Sequence, residues 1–431
     1  MIENVRRSVL PNGVRVVTEQ VDTVASVALG IWSVTGSRDE SDDQLGISHL
    51  LEHMLFKGTE RRPVPKMIAD EMDAIGGYLN AFTDKEYTCY YARLLGEHVP
   101  IGMDLLSDMY AHSVFDPEEL ARERNVVLEE IKGRDDDPED LVHDLFGEAM
   151  HPGHPLGRPV IGTAETVSAL DSGQLRDYAS RHYCGRRTVV SASGNLDHDR
   201  LVDLAGEMLG SLPAGNDSER GDPLPFVAGR HAHSRPTEQV HFCVGTRGFG
   251  QFDRERYALA LLDSILGGSM GSRLFQEIRE TRGLAYAIGS YATSHREGGS
   301  FAAYGGTSPG NADQCVDLVL AEFAKLRRDG VTESELERAK VQFRVALVMG
   351  QESMSSRMNR LGKSECVHDR VIPLAEMLEE IERVGCADIQ SIAQRTLPSE
   401  ASGASIVSVG PFSEEDWAEV AQDINADGGS E

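Results

Sequence analysis

The chain has 431 residues, enough for about two to four domains of ordinary size. Lys and Arg total 42 and Asp and Glu total 70, a formal net charge of −28. This balance argues against nucleic-acid binding, because phosphate contacts need clustered basic side chains, and it also repels anionic membrane surfaces. No apolar run approaches the ~20 residues of a membrane span, and no signal or transit peptide is predicted, so we expect a cytoplasmic protein.

The cysteines and the acidic charge further restrict which kinds of protein the sequence can encode. All six cysteines stand singly, with no CxxC pair, so neither a disulfide framework nor a zinc ribbon is predicted. We expect reduced, mostly buried thiols. The negative charge has two interpretations, which the sequence leaves open: it provides solubility, or it lines an internal cavity that attracts basic peptides.

Helix and strand signals alternate along the chain. Asn12-Gly13 predicts a hairpin turn, alternating residues over 27–34 predict a strand, and apolar spacing over 67–75 predicts a helix that a Gly pair ends. Strand patterns follow in GGYLNAFT and EYTCYYARLL, and later in VVSASGNL. Helical patterns include a long one from Pro117 onward and DHDRLVDLAGEML. The predicted fold class is α+β, without repeated parallel βαβ units.

The two halves of the chain look like copies of one unit. VVSASGNL in the first half resembles SIVSVGPF in the second, and their glycines, Gly194 and Gly410, are 216 residues apart. ASVALGIW likewise resembles QVHFCVGT, with Gly30 and Gly245 separated by 215 residues. Two anchors at nearly one offset predict the duplication of a unit of about 200 residues.

The stretch from 213 to 236 is rich in Pro, Gly, Asp and Ser, which is typical of a linker. We therefore predict an N-terminal domain over 1–212, a linker over 213–236 and a C-terminal domain of the same fold over 237–431.

The segment GISHLLEHMLFKGT carries candidate metal ligands. On a helix, residues four apart share a face, so His49 and His53 can both point at one ion, with Glu52 toward the same side. Two neutral imidazoles suit zinc, and a nearby carboxylate suits a general base. The order H-x-x-E-H is the inverse of H-E-x-x-H and is itself a metallopeptidase pattern. The alternative is a pair of helical histidines beside a surface glutamate.

A catalytic zinc needs a third protein ligand, and FDPEELARERNVVLEEIKGRDDDPED offers candidates. Asp116 is a suitable N-cap for a helix here. Glu123 and Glu130 are seven apart and share a face of that helix, whereas Glu129 points about 100° away from Glu130. The alternative interpretation is a solvated acidic helix.

A serine hydrolase is the main competing class. Residues 267–271 read G-x-S-x-G around Ser269, but that elbow must follow a strand. Here a helical pattern over 257–265 precedes it, so we interpret the segment as a glycine-rich turn.

HLLEHMLFKGT followed by ERNVVLEEIKGRDDDPED resembles the pitrilysin/insulinase-type zinc metallopeptidases, which carry the inverted motif, and specifically their bacterial branch that is similar to mitochondrial processing peptidase. The resemblance extends over nearly the whole chain, through LPNGVRVV, GSRDE, GGYLNAFTDKEYTCYYA, HPLGRPVIGT and SRLFQEIRETRGLAYAIGS.

The resemblance implies roles for the metal-site residues. His49, His53 and Glu130 match the zinc ligands, one Zn²⁺ per chain. Glu52 matches the base that activates water, and Glu123 matches a glutamate that supports the catalytic site.

The resemblance also implies substrate contacts. Asn80 matches a substrate-facing position on an edge strand near the metal, where a peptide can add as a further strand. Arg279 and Tyr286, in the pattern R-x-x-x-G-L-x-Y, match a pair that contacts substrate near the scissile bond.

The implied architecture is two similar α/β-roll domains that form half of a clamshell. Two such halves enclose a chamber, so a homodimer is expected, and the implied function is zinc-dependent endopeptidase cleavage of peptides or unfolded precursor segments. A non-catalytic partner subunit is the alternative within the family, although such subunits typically lack parts of the metal motif.

Overall fold

Two β-sheets with helices against them organise the computed structural model, which describes residues 4–218 and 221–411. The first sheet consists of β1 to β6, which span Val5–Val9, Arg15–Gln20, Ser26–Ser33, Tyr78–Thr83, Thr88–Leu95 and Thr188–Gly194. The second sheet consists of β7 to β11, which span Gly229–Ser234, Val240–Gly248, Ala285–Ser294, Gly299–Thr307 and Ser405–Gly410.

Helices α1 to α8 belong to the first half of the chain and span Ile47–Met54, Pro65–Ala74, Val99–His112, Pro117–Asp136, Pro138–Met150, Ala164–Ala169, Ser172–His182 and His198–Leu209. Helices α9 to α14 follow and span Glu255–Leu266, Ala312–Asp329, Glu333–Gly350, Met354–His368, Leu374–Arg383 and Cys386–Thr396. A π-helical segment, Phe275–Thr281, precedes β9.

The local predictions agree with these elements. β1 and β2 pair antiparallel across the turn at Asn12-Gly13, where Gly13 has φ +96°, a value that glycine adopts without strain. The strand predicted over 27–34 is β3, and the helix predicted over 67–75 is α2. The hairpin, strand and helix predictions are therefore confirmed.

The two sheets share one topology. The order β2-β6-β3-β5-β4 in the first corresponds to β7-β11-β8-β10-β9 in the second. In each, the first pair is parallel and the others are antiparallel. β1 is an additional strand at one edge of the first sheet. The α+β class and the duplicated unit are thus confirmed.

The structure divides into two compact units, and each unit is built from three separate segments of the chain. Among the described residues, the first comprises 4–132, 159–218 and 347–374, and the second comprises 133–158, 221–346 and 375–411. Each unit thus contains one helix from the other half of the sequence. α12 packs on β2, β3 and β6 of the first unit, and α5 packs on β8 and β11 of the second. The domain boundaries at 212 and 236 stay a prediction, and β7 lies inside the stretch assigned to the linker.

The exchanged helices explain the anchor pair Gly30 and Gly245. A Cβ at Gly30 would lie 2.9 Å from the sulfur of Met358 on α12, and a Cβ at Gly245 would lie 2.4 Å from the Phe146 ring on α5. Since carbon atoms in contact need about 3.5–4 Å, each glycine makes room for the helix that packs on its sheet.

Buried ion pairs hold α12 on the first sheet. The Glu365 side chain on α12 is fully buried, and one of its oxygens lies 2.7 Å from the Arg7 guanidinium of β1. Glu19 of β2 pairs with Arg357 and Arg360 of α12. Removing one partner of such a pair leaves a buried charge uncompensated, so these contacts specify where the helix sits.

Three further sequence interpretations have a structural outcome. All six cysteines are free, and five of them are buried, as expected. The G-x-S-x-G segment follows α9, a helix and not a strand, as predicted. Within the described residues, no helix combines the length and apolar composition that a membrane span requires.

Candidate metal centre

Helix α1 carries the H-x-x-E-H segment, and the buried side chain of Glu40 caps it. Both oxygens of Glu40 accept backbone N–H groups at the start of the helix, from Gly46 and Ser48, each at 2.8 Å. These N–H groups have no partner within the helix. Gly46 itself has φ +88°. The cap therefore sets where α1 begins and which way its histidines point.

His49 and His53 lie on one face of α1, with ring centroids 4.7 Å apart. Nε2 of each ring is 3.8 Å from Oε2 of Glu130 on α4. These three side chains offer ligand atoms that all lie within 4.8 Å of one another. Around a tetrahedral zinc with ligand distances near 2.1 Å, two ligand atoms are about 3.4 Å apart. The spacing and the donor set of two nitrogens and one oxygen therefore fit a zinc ion.

α4 presents Glu130 to the histidines because its start and register are well defined. Asp116 accepts N–H hydrogen bonds from Glu118 and Glu119 at 2.8 and 3.1 Å, as its predicted N-cap position requires. Glu129, the neighbour of Glu130, instead pairs with a lysine on the same helix at 2.6 Å, and its side chain is 73% exposed. Glu130, not Glu129, thus faces the two imidazoles.

Glu123 lies seven residues before Glu130 on the same face of α4. Its buried side chain contacts His53 and Lys57. Its Oε2 lies 3.1 Å from Nδ1 of His53, and its Oε1 lies 2.7 Å from Nζ of Lys57. A carboxylate at Nδ1 fixes the ring orientation and leaves Nε2 as the free ligand atom. Sequence reasoning did not single out Lys57; its place four residues after His53 is the signal that could have found it.

Glu52 projects beside the cluster and is held by a residue that sequence reasoning also missed. The Thr83 hydroxyl at the end of β4 donates to Glu52 Oε2 at 2.5 Å. Burial raises the pKa of the Glu52 carboxyl above its ordinary value, with the Thr83 hydrogen bond acting in the opposite direction. A carboxylate whose pKa is raised by burial takes up a proton more readily, which suits a general base.

His49 favours the neutral state that metal binding requires. Burial, with a smaller contribution from His53, lowers the pKa of His49 to about 4. His49 Nδ1 is buried and has no hydrogen-bond partner among the described residues. Neutral imidazole is the ligand form for zinc, so this ring is ready to bind without losing a proton at neutral pH.

Asn80 lies in β4, which is the edge strand of the first sheet. Its side chain is exposed and donates to the Tyr78 hydroxyl at 2.8 Å. β4 pairs with β5 on one side only, and it ends at Thr83, beside Glu52. The open edge of a sheet thus begins next to the metal cluster.

Arg279 and Tyr286 lie in the second unit and contact each other there. The Arg279 guanidinium carbon is 4.9 Å from the centroid of the Tyr286 ring and 4.7 Å from that of Phe275. Tyr286 is 78% exposed. The structure brings this pair together as a cation–π contact.

The Glu40 cap makes stability depend on pH. Burial raises the pKa of Glu40 to about 8. Because the folded state holds this proton more tightly than the unfolded state, the contribution to stability is present at low pH and is lost as pH rises through 8. Glu40→Gln removes the titration and keeps an acceptor. We expect wild type to lose roughly 1–3 kcal/mol relative to Glu40→Gln between pH 6 and pH 9, measured by urea unfolding. If the difference in unfolding free energy between wild type and Glu40→Gln were the same at pH 6 and pH 9, this expectation would be wrong.

Two related α+β units and a cluster of two imidazoles and one carboxylate beside a glutamate define the class of inverted-motif peptidases. Sequence comparison agrees: residues 15–164 match Insulinase (Peptidase family M16), and residues 169–343 match the Peptidase M16 inactive domain. The chain belongs to the M16 peptidase family.

Curated relatives match nearly the whole chain. An uncharacterized zinc protease of Bacillus subtilis (strain 168) is 41% identical over 391 residues, which cover 91% of this chain and 95% of the relative. An uncharacterized zinc protease of Mycobacterium tuberculosis (strain H37Rv) is also 41% identical, over 93% of this chain and 92% of the relative.

Solved structures share the fold. A peptidase M16 inactive domain from Pseudomonas fluorescens superposes with a TM-score of 0.88 at 21% identity, covering 95% of this chain and 98% of that chain. A protease from Helicobacter pylori gives 0.86 at 20% identity, covering 95% and 100%.

Proposed function

We propose that this chain is a zinc endopeptidase that hydrolyses peptides and unfolded segments with activated water. The observation that carries the proposal is the cluster of His49, His53 and Glu130, whose ligand atoms lie within 4.8 Å of one another. Glu52 lies on the same helix beside it. The names of the relatives from Bacillus and Mycobacterium, both called zinc proteases, support the same activity.

Each residue of the site has a task in this proposal. Nε2 of His49, Nε2 of His53 and a Glu130 oxygen would hold the ion. Bound zinc supplies Lewis acidity at the scissile carbonyl and lowers the pKa of water. Glu52 accepts a proton from the attacking water and returns it to the leaving amine. Glu123 orients His53 through the 3.1 Å contact with Nδ1.

Substrate binding follows from the sheet edge. An extended peptide can hydrogen-bond along the edge of β4 that faces away from β5, with main-chain recognition and loose sequence selectivity. Thr83 places Glu52 at the end of this edge, and its hydroxyl occupies one carboxylate oxygen. The other oxygen is left to accept the proton from water.

Metal analysis and inhibition test the activity. The purified chain should contain about one zinc per chain and cleave a mixture of unstructured peptides. A chelator should abolish cleavage and added zinc should restore it, whereas a serine-directed reagent should have no effect. Chelator-resistant cleavage would contradict the proposal, as would a chain that binds no zinc, which the non-catalytic alternative expects.

We further propose a homodimer that encloses the substrate. The resemblance places the zinc motif and the Arg279/Tyr286 pair on opposite shells of the enclosure. One chain carries both features, so a two-fold dimer, the commonest symmetric oligomer, can complete two sites.

Complementation between inactive chains tests this arrangement. A Glu52→Gln chain and an Arg279→Ala/Tyr286→Phe chain should each be nearly inactive alone. After subunit exchange, half of the dimers are mixed and each has one of two sites intact, so activity should recover to about a quarter of wild type. No recovery despite proven exchange would mean that the pair does not act across the dimer.

A further inference from the structure

A cluster of Tyr78, Asn80, Tyr91 and Arg93, here called the Tyr78–Arg93 platform, covers one face of β4 and β5. Tyr78 and Arg93 are direct cross-strand partners, as are Asn80 and Tyr91. The Arg93 guanidinium carbon lies 4.2 Å above the Tyr78 ring centroid, and the Asn80 amide donates to the Tyr78 hydroxyl at 2.8 Å. Tyr78 is thus held from two sides while 43% of it stays exposed.

Arg93 has a free positive charge. Its side chain is exposed, and no carboxylate in the described residues lies within ion-pair distance of it. Arg62 shows the contrast, since it pairs with Asp104 and Asp108 at 2.7 and 2.6 Å. In a chain with 70 acidic and 42 basic residues, Arg93 thus lies on a tyrosine ring without an acidic partner among the described residues.

The platform reaches the open edge of the sheet. Arg93 stands on β5, one strand back from the edge, and neighbouring strands are about 4.8 Å apart. Because its guanidinium lies over the ring of Tyr78, the charge is carried to β4. Tyr78 begins β4 and Thr83 ends it, a span of five residues or roughly 17 Å.

We propose that the Tyr78–Arg93 platform is a subsite for an acidic side chain of the substrate. The proposal rests on the proposed function, because a peptide added along β4 would reach Glu52 at one end and the platform at the other. Side chains on one face of that peptide would meet Tyr78 and Arg93, at about four to six residues from the scissile bond. The chain's net charge of −28 influences the binding of the peptide as a whole, whereas Arg93 attracts an acidic side chain at one position of the peptide.

The expected preference is modest and is a binding effect. An exposed ion pair contributes up to about 1 kcal/mol, so a Glu at the responsive position should lower KM about 2–5-fold relative to Lys. Because the contact is remote from the reacting bond and present before reaction, kcat should change little.

The experiment compares Arg93→Glu and Arg93→Gln with Arg176→Glu, a matched charge reversal at an exposed arginine on α7. The substrate is a peptide that wild type cleaves at a bond located by mass spectrometry. Versions of it carry Glu, Gln or Lys at each position out to about seven residues from that bond. Unfolding midpoints verify that all three variants fold.

Wild type and Arg176→Glu should favour Glu over Lys at one position, and about 0.5 M salt should weaken the preference. Arg93→Gln should abolish it, and Arg93→Glu should reverse it. The same Glu-to-Lys ratio in wild type and Arg93→Glu at every position would overturn the subsite alone. A wild-type, zinc-loaded chain that cleaves no peptide would instead overturn the proposed function, and the subsite with it.

Discussion

Glu52→Gln should reduce peptide cleavage by about 10²–10⁴-fold while zinc stays bound. The amide keeps the size of the side chain and can still accept the Thr83 hydrogen bond, but it cannot take a proton from water. Loss of general-base catalysis typically costs this much. Glu52 is not among the three clustered ligand side chains, so metal content should match wild type.

The measurement is kcat/KM on a cleaved peptide, together with zinc content of the same preparation. Glu129→Gln is a matched control, because Glu129 is a glutamate of the neighbouring helix whose side chain is 73% exposed. It should retain full activity. Near-wild-type turnover by Glu52→Gln would exclude Glu52 as the base.

Glu130→Gln should weaken zinc binding more than about 100-fold. Substituting an outer-shell partner of a ligand typically costs 10–100-fold in affinity, and a direct ligand should cost more. A neutral amide would replace the only carboxylate of the cluster, which lies 3.8 Å from Nε2 of each histidine.

Competition with a chromophoric chelator measures this affinity without reference to activity. Glu129→Gln again serves as the control, since it makes the same replacement of a carboxylate oxygen by an amide nitrogen at the adjacent residue and should bind zinc as wild type does. If Glu129→Gln lost zinc and Glu130→Gln retained it, the third ligand would be Glu129 and the assignment of Glu130 would be wrong.

The local arrangement of the metal cluster follows from sequence spacing. Residues four apart on α1 and seven apart on α4 share a face because of the helical period, and the Asp116 cap determines where α4 starts. These short-range rules place His49 beside His53 and separate Glu130 from Glu129. The duplicated topology was predictable for a similar reason, since copies at one offset repeat the same strand order.

The groups that support the cluster were not predictable, because they depend on contacts between elements. The Thr83 contact with Glu52 spans 31 residues, and the contact between Glu123 and His53 spans 70. Glu40 lies before α1, yet its role depends on burial at the helix start. No periodicity in the sequence reports such contacts.

The sequence by itself determined the helices and strands, the α+β class, the repeated unit and the metal-binding pattern, since each depends on local periodicity or on self-similarity. Only the tertiary structure decided which helix covers which sheet. α5 joins the second unit and α12 the first, because the bare surfaces at Gly245 and Gly30 accept Phe146 and Met358. That complementarity joins residues 99 and 328 positions apart, and only packing in three dimensions selects it.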